Sequence, residues 1–320
     1  MTLLRALLAV SLSLAAPFAA AQWSPTKPMR IVVPFPAGGI VDLMARTLND
    51  KLGSQLGQPV IVEARPGAMS SIGTESVAKA EPDGHTLLLA TISHATLPWM
   101  TTVPWHPVND FAGVALIGEV ANIAVVPVSL APKTIAEFVA WARERPGKVN
   151  YINAGFGTSQ TLTVELFRRN QKLDFVPIGY KGYPPAMPDL LNGQLQFSVA
   201  PFGVALPHVK AGKLRGLAVL SASRNKQLPD VPTLAEAGFA ESVVVSWYMI
   251  LVPAATPRPA LERLNLEVAR AMADPEVLGR IEKVGGAALP TGTAAEAQAM
   301  LARESARWGK FIRESGLKVE

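Results

Sequence analysis

Two glycine-bearing stretches hold the residues best suited to chemistry. The first reads Phe35-Pro36-Ala37-Gly38-Gly39 and runs into Ile40-Val41-Asp42. The second reads Ala154-Gly155-Phe156-Gly157-Thr158-Ser159. The chemistry they suit is anion binding. Amide N–H groups of a helix's first turn have no partner within it, and glycine lets a ligand approach the backbone closely. In the second stretch, Thr158 or Ser159 can cap the following helix and leave other amides and a hydroxyl for a ligand. The plainer reading of each is an ordinary strand-to-helix turn. The first is not a nucleotide loop, because no Gly-Lys-Ser/Thr closes it and it shows no G-x-G-x-x-G.

Catalytic and metal readings are weaker. Gly157-Thr158-Ser159-Gln160-Thr161 approaches a nucleophile elbow, but Thr161 stands where the second glycine is needed, and no histidine and acid follow in order. His85, His94, His106 and His208 match no metal-ligand spacing, so structural or surface roles are expected. We therefore expect no catalytic residue, metal or cofactor.

The elements around these stretches explain how they would be positioned. Ile31-Val32-Val33 suits a strand buried on both faces, and Ile40, Leu43, Met44, Leu48 and Leu52 recur at helical spacing after the glycines. A second strand at 60–63, a helix at 70–80 and a strand at 86–91 complete a βαβαβ pattern, the sign of a doubly wound α/β lobe. Ligands of such lobes lie at the carboxyl ends of strands, so the loops beginning near Phe35 and Thr91 should share one space. Residues 99–111 read as an irregular loop. Strands near 114–128 lead to a helix at 135–145, and a second copy of the opening device follows: strand 149–153, glycine loop, helix 160–170. Further strands are expected at 175–178, 196–199 and 214–220, with helices at 185–192 and 205–211 between them. A polar connection at 224–239, a strand at 243–252 and helices at 259–272, 275–284 and 294–314 then close the first lobe. Two crossings, near Val120 and Trp247, make a two-stranded hinge, a known route to ligand-driven closure. The expected division is a leader at 1–21, lobe 1 at 22–124 and 247–320, and lobe 2 at 125–246. Ser93, His94, Tyr180 and Phe202, near the ends of further strands, complete the candidate ligand set.

Composition narrows the setting. Arg5, the apolar run 7–14 and Ala19-Ala20-Ala21 describe a secretory signal cleaved after Ala21, too short in its apolar part to span a bilayer. With no cysteine, the signal is not of the lipoprotein kind and the exported fold stands without disulfides. The chain's 320 residues allow two lobes, and a formal charge of +5 suits anionic ligands. Nucleic acid is excluded because basic residues are dispersed and aromatics sparse.

PFPAGG with Asp42, ARPGA, EPDGHTLLLA, NAGFGTSQTL with Glu165, DLLNGQL, VKAGKLRGLAVLS, LPDVPTLAEAGF, SWYMILVPAATP and ARWGKFIRESGL together resemble the Bug family, the extracytoplasmic solute receptors of tripartite tricarboxylate transporters. The resemblance spans nearly the whole chain after the leader. It implies a periplasmic binding protein fold of type II kind, a Venus flytrap of two α/β lobes, with a small organic mono- or dicarboxylate as ligand and a two-component membrane permease as partner. The receptor would be monomeric and not membrane-embedded. It also implies that residues 35–42 and 156–159 hold the carboxylate from opposite lobes. The chain departs from the family pattern at Thr161, where a histidine is usual, at Ala68-Met69-Ser70-Ser71, where more glycine is usual, and at Met249, where a glycine is common. The first and third touch the distal pocket and hence ligand identity; the second alters a turn. The competing readings are a ligand sensor for a signalling partner and an exported enzyme acting on organic acids.

Overall fold

A computed structural model describes residues 23–317. The expected signal segment lies outside the described residues. Met29–Val33 (β1) pairs in parallel with Val60–Ala64 (β2) on one side and Thr86–Thr91 (β3) on the other. Next comes Ser246–Pro253 (β10), antiparallel to both β3 and Phe111–Val120 (β4), and the short Gly286–Ala287 (β11) closes the six-stranded sheet. The apolar runs of β1 and β3 are continuous because both faces of this sheet are covered. Ile31, Val33, Leu87 and Leu89 pack under Ile40–Leu56 (α1), Arg258–Met272 (α8) and Pro275–Lys283 (α9). Val32, Leu88 and Ala90, one residue out of phase, face Ser71–Ala78 (α2), Ile92–Met100 (α3) and Ala294–Ser315 (α10).

The second lobe centres on Asn122–Pro127 (β5), antiparallel to Ser198–Pro201 (β8) and Leu214–Leu220 (β9). Val149–Asn153 (β6) pairs in parallel with Phe175–Gly179 (β7), and a single bridge, Tyr151 to Phe197, joins this pair to the β8 side. Ala124 and Val126 face a core of stacked phenylalanines beneath Ile135–Arg143 (α4) and Ser159–Asn170 (α5), with Phe138 and Phe197 4.7 Å apart. Ile123 and Val125 face Met187–Leu191 (α6) and Phe202–Lys210 (α7). Only Ala121 separates β4 of the first lobe from β5 of the second, and the chain returns at Ser246, which pairs with Val120. The two crossings therefore run side by side.

Two elements depart from the sequence reading, the short β11 and the helix after β3. The segment after β3 is α3, which begins at once: the Thr91 hydroxyl accepts from the Ser93 amide at 3.3 Å. Pro98 lies inside it, near the end, where it offers no N–H to the helix. It is tolerated here because burial of Ile92, Ala95, Leu97 and Met100 outweighs the one missing hydrogen bond.

Candidate functional site

A cavity of about 340 Å³ lies between the lobes. Lobe 1 supplies residues 35–41, Thr91, Ile92, Ser93 and Tyr248; lobe 2 supplies Ala154, Thr158, Ser159, Gln160, residues 181–185, Pro201 and Val204. Ser246 contributes from the crossing strand.

Both glycine turns end in helix N-termini at this cavity. At the first, Gly38 has φ +77°, a conformation that L side chains seldom adopt, and Gly39 is the extended N-cap of α1. No side chain caps α1, and the amides of Ile40 and Val41 have no acceptor among the described residues. At the second, the Thr158 hydroxyl accepts from the Thr161 amide at 3.3 Å and donates to the Gly155 carbonyl at 2.9 Å, so its one proton is committed. The amides of Ser159 and Gln160 remain without acceptors among the described residues. Ser93 of α3 also lines the cavity; it is 2% exposed, and its hydroxyl meets no hydrogen-bond partner.

The crossing strands are tied to this second turn. Asn122 Nδ2 donates to Ser246 Oγ at 3.1 Å and to Ser159 Oγ at 3.3 Å, Gln160 Nε2 donates to Asn122 Oδ1 at 2.8 Å, and Ser159 and Ser246 share a hydrogen bond. A group bound at the start of α5 is therefore felt directly at the hinge.

Of the candidate residues, Phe35, Pro36, Ala37, Gly38, Gly39, Val41, Ser93, Thr158 and Ser159 line the cavity. Six do not. Asp42 folds back to accept from the Gly38 amide at 3.0 Å and from Arg46 at 2.9 Å and 3.1 Å. Burial pushes its carboxyl up, but these hydrogen bonds outweigh it and hold the pKa below the ordinary carboxylate value. It braces the turn. His94, one helical step round from Ser93, points into the core. There it stacks on Trp105 with centroids 4.9 Å apart, and Nε2 meets the Pro107 carbonyl at 2.8 Å. Burial lowers its pKa to about 4. Phe156 packs on the apolar cluster of lobe 1, and the Gly157 carbonyl accepts from the Thr96 hydroxyl of α3 at 2.9 Å, so both residues join lobes. The Tyr180 hydroxyl donates to Asp189 at 2.5 Å, away from the cavity. Phe202, at 0% exposure, is core of lobe 2. Glu165, prominent in the sequence pattern, accepts from Tyr151 at 2.8 Å and pairs with Arg168 at 2.6 Å inside lobe 2.

The lining residues that sequence reasoning missed are chiefly Gln160, Tyr183, Pro184, Pro185, Pro201, Val204, Ser246 and Tyr248, together with Lys181. Residues 181–185 follow the carboxyl end of β7, so the strand-end rule applied to lobe 2 would have found them. Ser246 and Tyr248 have no local signal; their place depends on the hinge.

Residues 44–317 match the family described as tripartite tricarboxylate transporter family receptor. The chain belongs to that family. It is 34% identical over 310 residues to Protein BugT of Bordetella pertussis, covering 96% of this chain and 94% of the relative. The solved structure of the periplasmic binding protein BugD superimposes with a TM-score of 0.84 at 30% identity, covering 92% of this chain and all of that one. The R. palustris protein Rpa4515, solved with adipate, gives a TM-score of 0.83 at 31% identity, covering 91% and 98%. The fold is thus the two-lobed α/β architecture of periplasmic binding proteins of this receptor family. No helix among the described residues is long and apolar enough to cross a membrane.

Proposed function

We propose that this family member is a periplasmic receptor that captures a small organic carboxylate between its lobes and presents it to the membrane permease of a tripartite transporter. One observation carries the reading: two helix N-termini from opposite lobes, each with two amides lacking acceptors, face one cavity lined by no acidic side chain. Each N-terminus offers about half a positive charge and oriented donors, so a carboxylate bridging them satisfies both lobes at once. Ser93 lines the same cavity from α3, and its hydroxyl, unpartnered within the protein, is a side-chain donor with a proton to spare. An anion held from both sides favours the closed arrangement over the open one, which supplies the differential affinity that closure requires. The adipate bound by the R. palustris relative, and the transporter family itself, support the ligand class and the permease partner. Cleavage of the leader after Ala21 belongs to the same proposal.

The test is a thermal-shift screen of the purified protein against organic acids, followed by calorimetric titration of the best ligand with wild type and Gly39→Val. Gly39 has ordinary φ, and a Cβ there would meet only the Pro36 carbonyl, at 3.3 Å, so the fold tolerates a valine that adds bulk to a cavity-lining position. Binding should be nearly abolished in a folded variant. Wild-type affinity in Gly39→Val would place the ligand elsewhere, and conversion of the ligand in proportion to protein concentration would overturn the receptor reading.

A further inference from the structure

The two helix N-termini account for one carboxylate, and the rest of the cavity wall carries information about the remainder of the ligand. Much of that wall is apolar: Phe35, Tyr183, Pro184, Pro185 and Val204 among others. Lys181 is the one charged residue in the lining. It sits between Gly179 and Gly182, the latter at φ +99°, on the loop that leaves β7, an element distinct from both helix N-termini. Among the described residues its ammonium has neither a hydrogen-bond acceptor nor an ion-pair partner, and Asp189, eight residues on, accepts from the Tyr180 hydroxyl. An exposed lysine head on a four-carbon stem costs little while it is hydrated, and it gains a charge-assisted hydrogen bond when an anion enters a partly closed cleft.

Resting on the carboxylate reading above, we propose that Lys181 is a specificity-determining residue that pairs with a second anionic group of the ligand. The ligand class is then a dicarboxylate with an apolar middle and no ammonium group. The apolar part of the lining suits a methylene chain or ring. An amino acid of the same length is disfavoured because its ammonium would enter a cavity without one carboxylate to pair with.

The experiment is calorimetric titration at fixed ionic strength of matched acids that differ only at the far end. The pairs are succinate with butanoate, adipate with hexanoate and suberate with octanoate, with 6-aminohexanoate as the cationic counterpart. Wild type should bind the best-fitting dicarboxylate about tenfold or more tighter than its monocarboxylate partner, and 6-aminohexanoate more weakly than hexanoate. Lys181→Met keeps the apolar stem and removes the charge. It should collapse most of that gap by weakening the dicarboxylate far more than its monocarboxylate partner, and Lys181→Arg should restore the gap. Equal affinity for both members of every pair in wild type, or a preference that survives in Lys181→Met, overturns this proposal while leaving the carboxylate clamp standing. Failure of every acid to bind wild type overturns both.

Discussion

At the scale of single residues, Ser93 and Thr158 look alike in sequence, yet the structure gives their hydroxyls opposite duties. Thr158 is spent on the cap of α5, so Thr158→Ala should lower unfolding stability by about 1 kcal/mol, measured by urea denaturation, with little direct effect on ligand contacts. Ser93 lines the cavity and holds a buried hydroxyl without a partner. Ser93→Ala should not destabilise the free protein, and by removing a donor to a charged ligand it should weaken binding by about 1.5 to 3 kcal/mol, read by calorimetry. Unchanged affinity in Ser93→Ala would remove α3 from the site. His94 bears on pH instead. Its pKa, lowered to about 4 by burial, lies under the ordinary value of 6.5, so between these two the unfolded chain binds more protons than the folded one. Stability should therefore be intact above pH 6.5 and fall as pH drops toward 4. From pH 7 to pH 5 the histidine's share of that loss is about 2 kcal/mol. His94→Phe, which keeps an aromatic ring against Trp105 and Phe111, should flatten the slope by that amount.

Among the elements, the turn ahead of α2 carries backbone strain that the sequence hints at through its scarcity of glycine. Ala68, Met69 and Ser70 all have positive φ, at 43°, 54° and 83°. Ser70 is also buried with an unpaired hydroxyl, while its carbonyl takes the Thr74 hydroxyl at 2.9 Å, a bond that depends on the backbone alone. Ser70→Gly should relieve both costs and raise unfolding stability by about 1 kcal/mol in urea. A loss of stability would mean that the turn tolerates its conformation without strain. The other element of note is α5. Its N-terminus faces the cavity, its Leu162 lies in the lobe 1 cluster, and Arg169 reaches the Ser315 carbonyl of α10 at 2.6 Å. It belongs to lobe 2 by chain order and bears on both lobes by contact.

For the whole molecule, the contact between the Thr96 hydroxyl and the Gly157 carbonyl ties α3 of one lobe to the glycine loop of the other. Thr96 itself does not line the cavity. Thr96→Val preserves shape and removes this link, so the arrangement in which both N-termini meet the ligand should lose about 1 kcal/mol, a few-fold in affinity, with every ligand contact retained. Small-angle scattering should show wild type becoming more compact on adding its best acid, Thr96→Val needing more ligand for the same change, and Gly39→Val not responding. Full compaction of Thr96→Val at the wild-type ligand concentration would show that this contact does not bias closure.

The sequence by itself determined the alternation of strands and helices, the two glycine turns and the two crossings, because each is written in local periodicity or in residues with few conformational options. Ile31 to Val33, buried on both faces, and Gly38, with positive φ, are examples. Eight of the fifteen candidate residues line the cavity on those two turns, whose backbone is locally specified. Tertiary structure alone decided which way the others point. Ser93 and His94 are neighbours in one helix, yet packing against Trp105 sends the histidine inward and leaves the serine at the cavity. Phe156 and Gly157 lie in the loop that heads α5, but α3 of the opposite lobe claims them. Ser246 and Tyr248 enter the site from a strand more than 80 residues beyond Ser159, through the hinge that brings the crossings together. A local pattern fixes a backbone turn; the direction of a side chain depends on what packs on the other side of it, and here that is the other lobe.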